Sequence, residues 1–253
     1  MKSIQDYITE KMIYKKSNAS TYKYFPKSKE ELQEILKELV EKRGNEGDFN
    51  DIDTSQITDM SYLFSEITNF NGNISKWDVS NVIDMTRMFQ FCKSFNQPLN
   101  DWDVSKVKKM RQIFYACESF NQPLNKWNVS NVKYINGMFY ACISFNQPLN
   151  EWDVSNATTM GYMFYECESF NQPLNNWNVS KVTTMAYMFY GCESFNQPLN
   201  GFDVSNVRNM ECMFKNCTKF NQPLNDWDVS NINYKGEIFR NCPIEEKYKP
   251  KFK

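Results

Sequence analysis

The sequence predicts an α/β fold built as a right-handed solenoid of repeats, with one parallel sheet of short strands and short helices on the opposite side. Three observations predict it. A unit of 25 residues recurs without insertions from about residue 49 onward. Phenylalanine and cysteine each return at one fixed position of that unit. Each unit also joins an alternating segment to a segment with helical spacing. A fixed period of this length indicates that each unit buries its apolar face against its neighbours.

The chain has 253 residues and divides into three segments. Residues 1–48 are predicted to hold a leader and a capping helix. Residues 49–242 are predicted to hold eight repeats, and residues 243–253 to form a C-terminal cap or tail. We expect covering elements at both ends, because the open edge of a parallel sheet recruits other chains.

The capping helix is predicted at residues 28–44. Ser28 and Glu31 form a capping box at its start, and Gly44 is suited to its end. We expect its apolar stripe to cover the first repeat. The stripe consists of Leu32, Ile35, Leu36, Leu39 and Val40.

The unit that begins at residue 95 shows how one repeat is expected to fold. Its first half predicts a short strand at residues 99–104, where Trp102 and Val104 alternate with polar residues. Its second half predicts a short helix that follows Ser105, a favourable N-cap. That helix is indicated by apolar residues three and four apart, namely Val107, Met110, Ile113, Phe114 and Cys117. A strand and a helix in each unit are the plan of a leucine-rich-repeat-like solenoid, whose crossovers are right-handed.

Seven of the eight cysteines share one position of the unit, which predicts a column of thiols in the core. A buried free cysteine packs as a small hydrophobe, while disulfides and a metal site remain the alternatives. Cys212 falls at a variable position, where it could be exposed. Similar columns of tryptophan, asparagine and serine are expected to fill the core, satisfy the turn backbone and cap the helices.

Composition excludes several classes of function. The formal net charge of −1 lacks the basic surplus that a nucleic-acid binder needs. No apolar run is long enough for a transmembrane segment. Histidine is absent, which excludes Ser-His-Asp catalysis and histidine metal sites. We expect no cofactor. The start of the sequence shows no secretory signal, so the expected location is the cytoplasm, with the cell surface or secretion as the alternative.

The block FNQPLN at residues 95–100 returns unchanged in each of the next five units. In this block and in the WDVS segment that follows it, the sequence resembles the BspA-like leucine-rich repeats of bacterial surface proteins, in the variety described in Mycoplasma lipoproteins. The resemblance covers about residues 49–242. It implies a right-handed leucine-rich-repeat solenoid that binds other molecules, often in surface attachment or host contact, and it implies no catalysis.

Positions that vary between repeats are where a partner could be recognised. One set is a row of tyrosines that suits protein recognition, unless each ring only leans on the adjacent repeat. A second set is polar and lies on the predicted strand side of the solenoid. This face could bind a partner, or it could simply be solvated. A third set is basic and could orient an acidic partner. The tyrosines are Tyr115, Tyr140, Tyr165, Tyr190, Tyr162 and Tyr187, the polar set includes Asp101, Lys126 and Glu151, and the basic set includes Lys108, Lys109 and Arg111.

Together these patterns predict a non-enzymatic protein-binding solenoid. Its partner would be a protein of unknown identity, and the chain would be a monomer or a weak homo-oligomer. The first alternative is a bacterial surface adhesin that contacts a host. The remaining alternative is an enzyme, for which no nucleophile with a base partner and no phosphate loop is apparent.

Overall fold

The structure, a computed structural model, describes residues 22–252. Within that range it contains one α-helix, α1 (Lys29–Arg43), and a short 3-10 helix at Glu246–Tyr248. The remainder of the described chain consists of turns, bends and isolated parallel β-bridges, most of which join residues one repeat apart. The described chain is therefore a repeat protein built from turns, and most of the predicted leader lies outside the described residues.

The predicted capping helix is present as α1. The Ser28 hydroxyl accepts a hydrogen bond from the Glu31 amide at 3.3 Å, and Gly44 follows the last turn with a φ of 75°. Leu32, Leu36 and Leu39 are buried in the core, and Ile35 and Val40 are partly buried against it.

No helix forms in the second half of the repeats that the structure describes, so the predicted helical layer is wrong. Between Met110 and Cys117 the chain makes consecutive tight turns, and Gln112 and Ala116 have φ angles of 52° and 57°. A positive φ at the third residue is the geometry of a type II turn. Turns of three to four residues direct the same side chains inward as a helix would, which is why the apolar spacing was ambiguous.

The amides of these turns donate to the next repeat instead of to the residue four positions earlier. The Met110 amide donates to the Tyr134 carbonyl at 2.9 Å, and the Phe114 amide donates to the Met138 carbonyl at 3.1 Å. In each described repeat up to the penultimate one, every second residue along the turns donates its amide to a carbonyl of the next repeat. Successive repeats therefore stack in register through their backbones.

The predicted strand at residues 99–104 is also absent. Trp102 and Val104 are buried while their polar neighbours are exposed, so the alternation correctly identified the inward side chains. The Leu99 carbonyl, however, accepts the Trp102 amide at 3.1 Å and the Trp127 indole nitrogen at 2.8 Å. Because a turn and a side chain satisfy this backbone, it forms no ladder with its neighbours.

The parallel sheet is thereby reduced to single bridges, and these lie elsewhere in the unit than predicted. Six of the eight bridges in residues 22–252 belong to one column of residues just before the tight turns. The bridged residues of that column are Asp59, Asp84, Lys109, Tyr134, Thr159, Thr184, Asn209 and Tyr234.

Aromatic rings fill the interior in stacked columns. Phe114 and Phe120 of one repeat lie 4.1 Å apart between ring centroids, and Phe114 stacks on Phe139 of the next repeat at 5.8 Å. The tryptophans form a parallel column, in which Trp127 and Trp152 lie 6.5 Å apart. Aromatic pairs at such distances add stabilisation beyond their buried area.

Two kinds of side chain donate hydrogen bonds to buried carbonyls 28 positions earlier. The Trp152 indole donates to the Leu124 carbonyl at 3.0 Å, and the Cys142 thiol donates to the Phe114 carbonyl at 3.0 Å. Burial raises the pKa of the Cys142 thiol well above its ordinary value, so the thiol keeps its proton. The cysteine column thus supplies hydrogen-bond donors as well as apolar volume.

Polar columns satisfy the outer turns. The Asn96 side-chain oxygen accepts the Asn121 amide at 2.9 Å, and this contact recurs along the stack. The Asp103 carboxylate accepts the Ser105 amide at 3.0 Å, so the serine is not the helix cap that the sequence predicts. Asn128 accepts the equivalent bond at 3.1 Å, which explains why aspartate and asparagine interchange at this position.

Residues 243–252 lie against the last repeat. The Glu245 amide donates to the Asn221 side chain at 3.0 Å and so continues the asparagine column. The Leu224 amide donates to the Tyr248 carbonyl at 2.8 Å, and Ile244 is buried. This segment covers the last repeat at one end of the stack, as α1 covers the first at the other.

Phe202 replaces tryptophan in its column and provides a test of the indole hydrogen bond. We expect Trp152→Phe to destabilise the protein by about 1–2 kcal/mol, because the Leu124 carbonyl loses a donor. We expect Phe202→Trp to stabilise it by about 1 kcal/mol by donating to the Leu174 carbonyl. Urea denaturation of both variants measures these changes. Unchanged midpoints in both would show that the indole nitrogen contributes nothing to stability.

Candidate functional site

Six tyrosines form one stacked cluster on the outer surface of the central repeats, which we name the tyrosine ladder. They occupy two positions of the unit, both outside the core. The structure brings all six predicted tyrosines together in two adjacent rows. The first row is Tyr115, Tyr140, Tyr165 and Tyr190, and the second is Tyr162 and Tyr187.

The rings of the tyrosine ladder are nearly parallel. In the first row, Tyr140 lies 4.4 Å from Tyr115 and 4.3 Å from Tyr165 between ring centroids. In the second row, the Tyr162 and Tyr187 centroids lie 4.8 Å apart. The rows touch through tilted contacts, such as the one at 6.0 Å between Tyr162 and Tyr165. The four stacked pairs therefore cover eight of the twelve ring faces.

Stacking determines what the tyrosine ladder presents to solvent. Tyr162 is 40% exposed, and the other five side chains are half-buried. Each ring leans on the adjacent repeat, as the packing alternative expected. Because most of the ring faces are covered, the surface exposed to solvent consists mainly of ring edges and hydroxyl groups.

Two residues that the sequence analysis did not select extend the tyrosine ladder at its ends. Phe91 is 42% exposed and meets Tyr115 edge-on at 5.4 Å between ring centroids. The Lys215 ammonium lies 5.9 Å from the centroid of Tyr190. The ladder is thus bounded by an apolar ring at one end and by a cation at the other.

Four phenols of the tyrosine ladder have a raised pKa. Partial burial raises the pKa of Tyr140, Tyr162 and Tyr165 above the ordinary value. A hydrogen bond with Cys212 is the main cause that raises the pKa of Tyr187 to about 12. A phenol with a raised pKa keeps its proton near neutral pH, so these hydroxyls can both donate and accept hydrogen bonds.

The variable position of Cys212 would have allowed it to be exposed, but the structure buries it. The residue is 5% exposed and occupies the unit position that Tyr187 holds one repeat earlier. Its thiol pairs with the Tyr187 hydroxyl. The Cys212 side chain, which is smaller than a tyrosine ring, therefore lies beneath Tyr187 at the end of the second row.

The three predicted basic residues are exposed together on the early repeats. Lys109 pairs with Asp84 at 2.8 Å, and the Arg111 guanidinium lies 4.3 Å from the ring centroid of Tyr134. Lys108 is exposed beside them. They line or flank a shallow groove, which we name the basic groove. Its walls are Ser61, Tyr62, Asp84, Thr86, Lys109, Arg111 and Tyr134.

The polar set lies on turns, because the strand predicted at its positions is absent from the described repeats. Asp101, Lys126 and Glu151 occupy exposed turns and no strand face. Lys126 pairs with Asp101 at 2.7 Å, and Glu151 accepts a hydrogen bond from Asn176 at 3.3 Å. Their side chains pair from repeat to repeat along the surface.

The aromatic walls of the basic groove were missed by the sequence analysis, although the repeat register contains the signal. Tyr62 stands four units before Tyr162 at the same position. Arg87, one unit after Tyr62, lies 5.7 Å from its ring centroid. Comparing the variable positions across all units, and not only the central ones, would have identified them.

The position of Cys212 beneath the second row makes a testable prediction. We expect Tyr187→Ala to increase the rate at which an alkylating reagent modifies Cys212, because the covering ring is removed. Tyr187→Phe keeps the ring and should leave Cys212 protected. Mass spectrometry of digested protein locates the label, and Tyr115→Ala is the control within the tyrosine ladder. Equal labelling of Cys212 in parent and Tyr187→Ala would contradict this arrangement.

Two overlapping stretches, residues 31–152 and 134–249, match one family, described as a Mycoplasma protein of unknown function, DUF285. No curated protein matches the chain, and no solved structure matches it. Across residues 22–252, no helix has both the length and the apolar character needed to cross a bilayer. The match covers most of the sequence and agrees with a Mycoplasma-type repeat. The chain therefore belongs to the Mycoplasma repeat family of unknown function, DUF285.

Proposed function

We propose that this chain is a non-enzymatic protein-binding repeat protein and that the tyrosine ladder contacts its partner. The observation that carries the proposal is the clustering of six tyrosines at positions that differ between repeats. The core positions, in contrast, are filled almost identically in every unit. The tyrosines are therefore not required by the repeat itself, since other units hold glutamine, glycine or lysine at the same two positions.

The chemistry of the tyrosine ladder suits a protein partner. Tyrosine is enriched at interfaces because it offers a large contact area at a low entropic cost. Stacking restricts the rings further, so binding would immobilise little that is not already ordered. The neutral hydroxyls supply donors and acceptors, and Phe91 and Ile143, which are 42% and 36% exposed, supply apolar contact nearby.

The pattern of pKa shifts supports a function without catalysis. Among residues 22–252, each carboxyl group with a resolved shift has a lowered pKa. Hydrogen bonds from hydroxyl groups, backbone amides and cations nearby are the main causes that lower the pKa of these carboxyl groups. A general acid that works at neutral pH needs a raised pKa instead.

We further propose that the stack is a continuous right-handed solenoid of the BspA-like kind. The register of the parallel bridges and the likeness of the FNQPLN block support it. Eight repeats spaced as neighbouring strands give a rod about 40 Å long. A crystal structure of the purified protein would show whether the repeats lie one on the next in register. Separate globular units, or repeats that lie out of register, would contradict the proposal.

The protein-binding function is tested by capture from a lysate of the source organism. We expect Tyr140→Ala combined with Tyr165→Ala to reduce capture of the partner about tenfold or more, because the centre of the ladder is removed. Tyr234→Ala is the matched control, since Tyr234 is 62% exposed and lies outside the ladder.

Circular dichroism and the urea midpoint of each variant distinguish lost binding from lost folding. A second variant, Tyr162→Glu, places a charge on the most exposed rung and should also abolish capture. Equal capture of one partner by the parent and both folded ladder variants would exclude the tyrosine ladder as the contact surface.

A further inference from the structure

We propose that the basic groove is a subsite for the carboxylates of an acidic segment in the partner protein. This inference rests on the proposed protein-binding function and adds the chemistry of the segment that is bound. The segment would place aspartate or glutamate side chains in the basic groove and apolar side chains against the tyrosine ladder.

The basic groove holds its cations in a geometry that suits carboxylates. The Arg111 guanidinium lies over the Tyr134 ring, and the Lys133 ammonium approaches the same ring at 5.4 Å from its centroid. Stacking on a ring orients a guanidinium and leaves its N–H edge free. A carboxylate can then accept two parallel hydrogen bonds from that edge.

The cations of this surface outnumber the anions that could neutralise them. Lys109 is paired with Asp84, and Asp59 is paired with Lys29 at 3.1 Å. The other cations form no ion pair with any residue in the described part of the chain. These unpaired cations are Arg87, Lys108, Arg111 and Lys133. An acidic partner would complete the local charge balance.

The extent of the positive surface favours a short acidic segment over a nucleic acid. Asp59 lies at the start of the same column of bridged residues, and Glu118 and Glu166 lie on the outer surface farther along the stack. A long uniform polyanion would meet these carboxylates, and the whole chain has a net charge of −1. A short segment whose few carboxylates contact only the early repeats would not meet Glu118 and Glu166.

The basic groove and the tyrosine ladder are continuous. The Arg87 guanidinium donates to the Gln112 side-chain oxygen at 2.6 Å. Gln112 occupies the same unit position as Tyr162 and Tyr187, and its carbonyl accepts the Tyr115 amide at 3.1 Å. A segment that crosses both surfaces therefore needs acidic side chains next to aromatic or aliphatic ones.

The test uses a fluorescent peptide that alternates aspartate with phenylalanine as the probe. We expect the full chain to bind this peptide. The Lys108→Glu/Arg111→Glu variant should bind it more weakly by a factor of about ten or greater. The control variant Lys76→Glu/Lys181→Glu carries the same change in net charge at exposed lysines away from the groove. It should bind the peptide like the parent. Fluorescence anisotropy at low and physiological salt measures each affinity, and thermal denaturation confirms that each variant folds.

Each outcome decides between the alternatives. Loss confined to the groove variant supports the proposal. An equal loss in the control variant, or no binding by the parent, overturns it. Tighter binding of a single-stranded oligonucleotide than of the peptide would overturn it in favour of a nucleic acid. If partner capture depends on Tyr140 and Tyr165 while charge reversal in the groove changes nothing, the protein-binding function stands and only the acidic subsite is wrong.

Discussion

The structure depends on one constraint, which is that a repeat cannot satisfy its own buried backbone. Its tight turns leave amides and carbonyls that point along the stack, and only a neighbouring repeat can pair them. The backbone bonds from Met110 to Tyr134 and from Phe114 to Met138 meet this need on one side of the unit. On the other sides of the unit, indole, thiol and amide groups donate hydrogen bonds to acceptors of a neighbouring repeat. An isolated unit would expose these groups and its aromatic rings, so stability belongs to the stack as a whole.

The sequence predicts the burial pattern far better than the backbone conformation. The stripe of α1, the inward Trp102 and Val104, and the columns of phenylalanine, cysteine and asparagine all lie where their spacing places them. The helix and strand assignments fail, because a chain that turns every three or four residues produces the same spacing as a helix. The left-handed φ values at Gln112 and Ala116 carry no sequence signal, since neither residue is glycine or asparagine. For the candidate site, spacing alone identified six aligned tyrosines. It could not show that their faces cover one another, because that depends on the distance between repeats.

The outer surface divides into regions with different chemistry while the interior repeats. Early repeats carry the unpaired cations beside Tyr62 and Tyr134, and central repeats carry the tyrosine ladder. Both regions use the same few positions of the unit, filled differently in each copy. Because those side chains contribute little to the core, they can change without disturbing the pairing beneath them. This separation between interior and surface is what makes a repeat protein suited to recognition.

The offset of 28 positions in the indole and thiol hydrogen bonds affects how such a gene can change. The donor reaches past its own repeat by a fixed step, so each joint between neighbours is chemically the same as the next. In-frame duplication or loss of one whole unit would lengthen or shorten the molecule and recreate a joint that already exists. Insertion of a single residue would instead lengthen the separation of each donor and acceptor that it lies between, and so disturb one joint. Unequal recombination between the near-identical segments is therefore a route by which this family can vary the length of its exposed face while its interior stays intact.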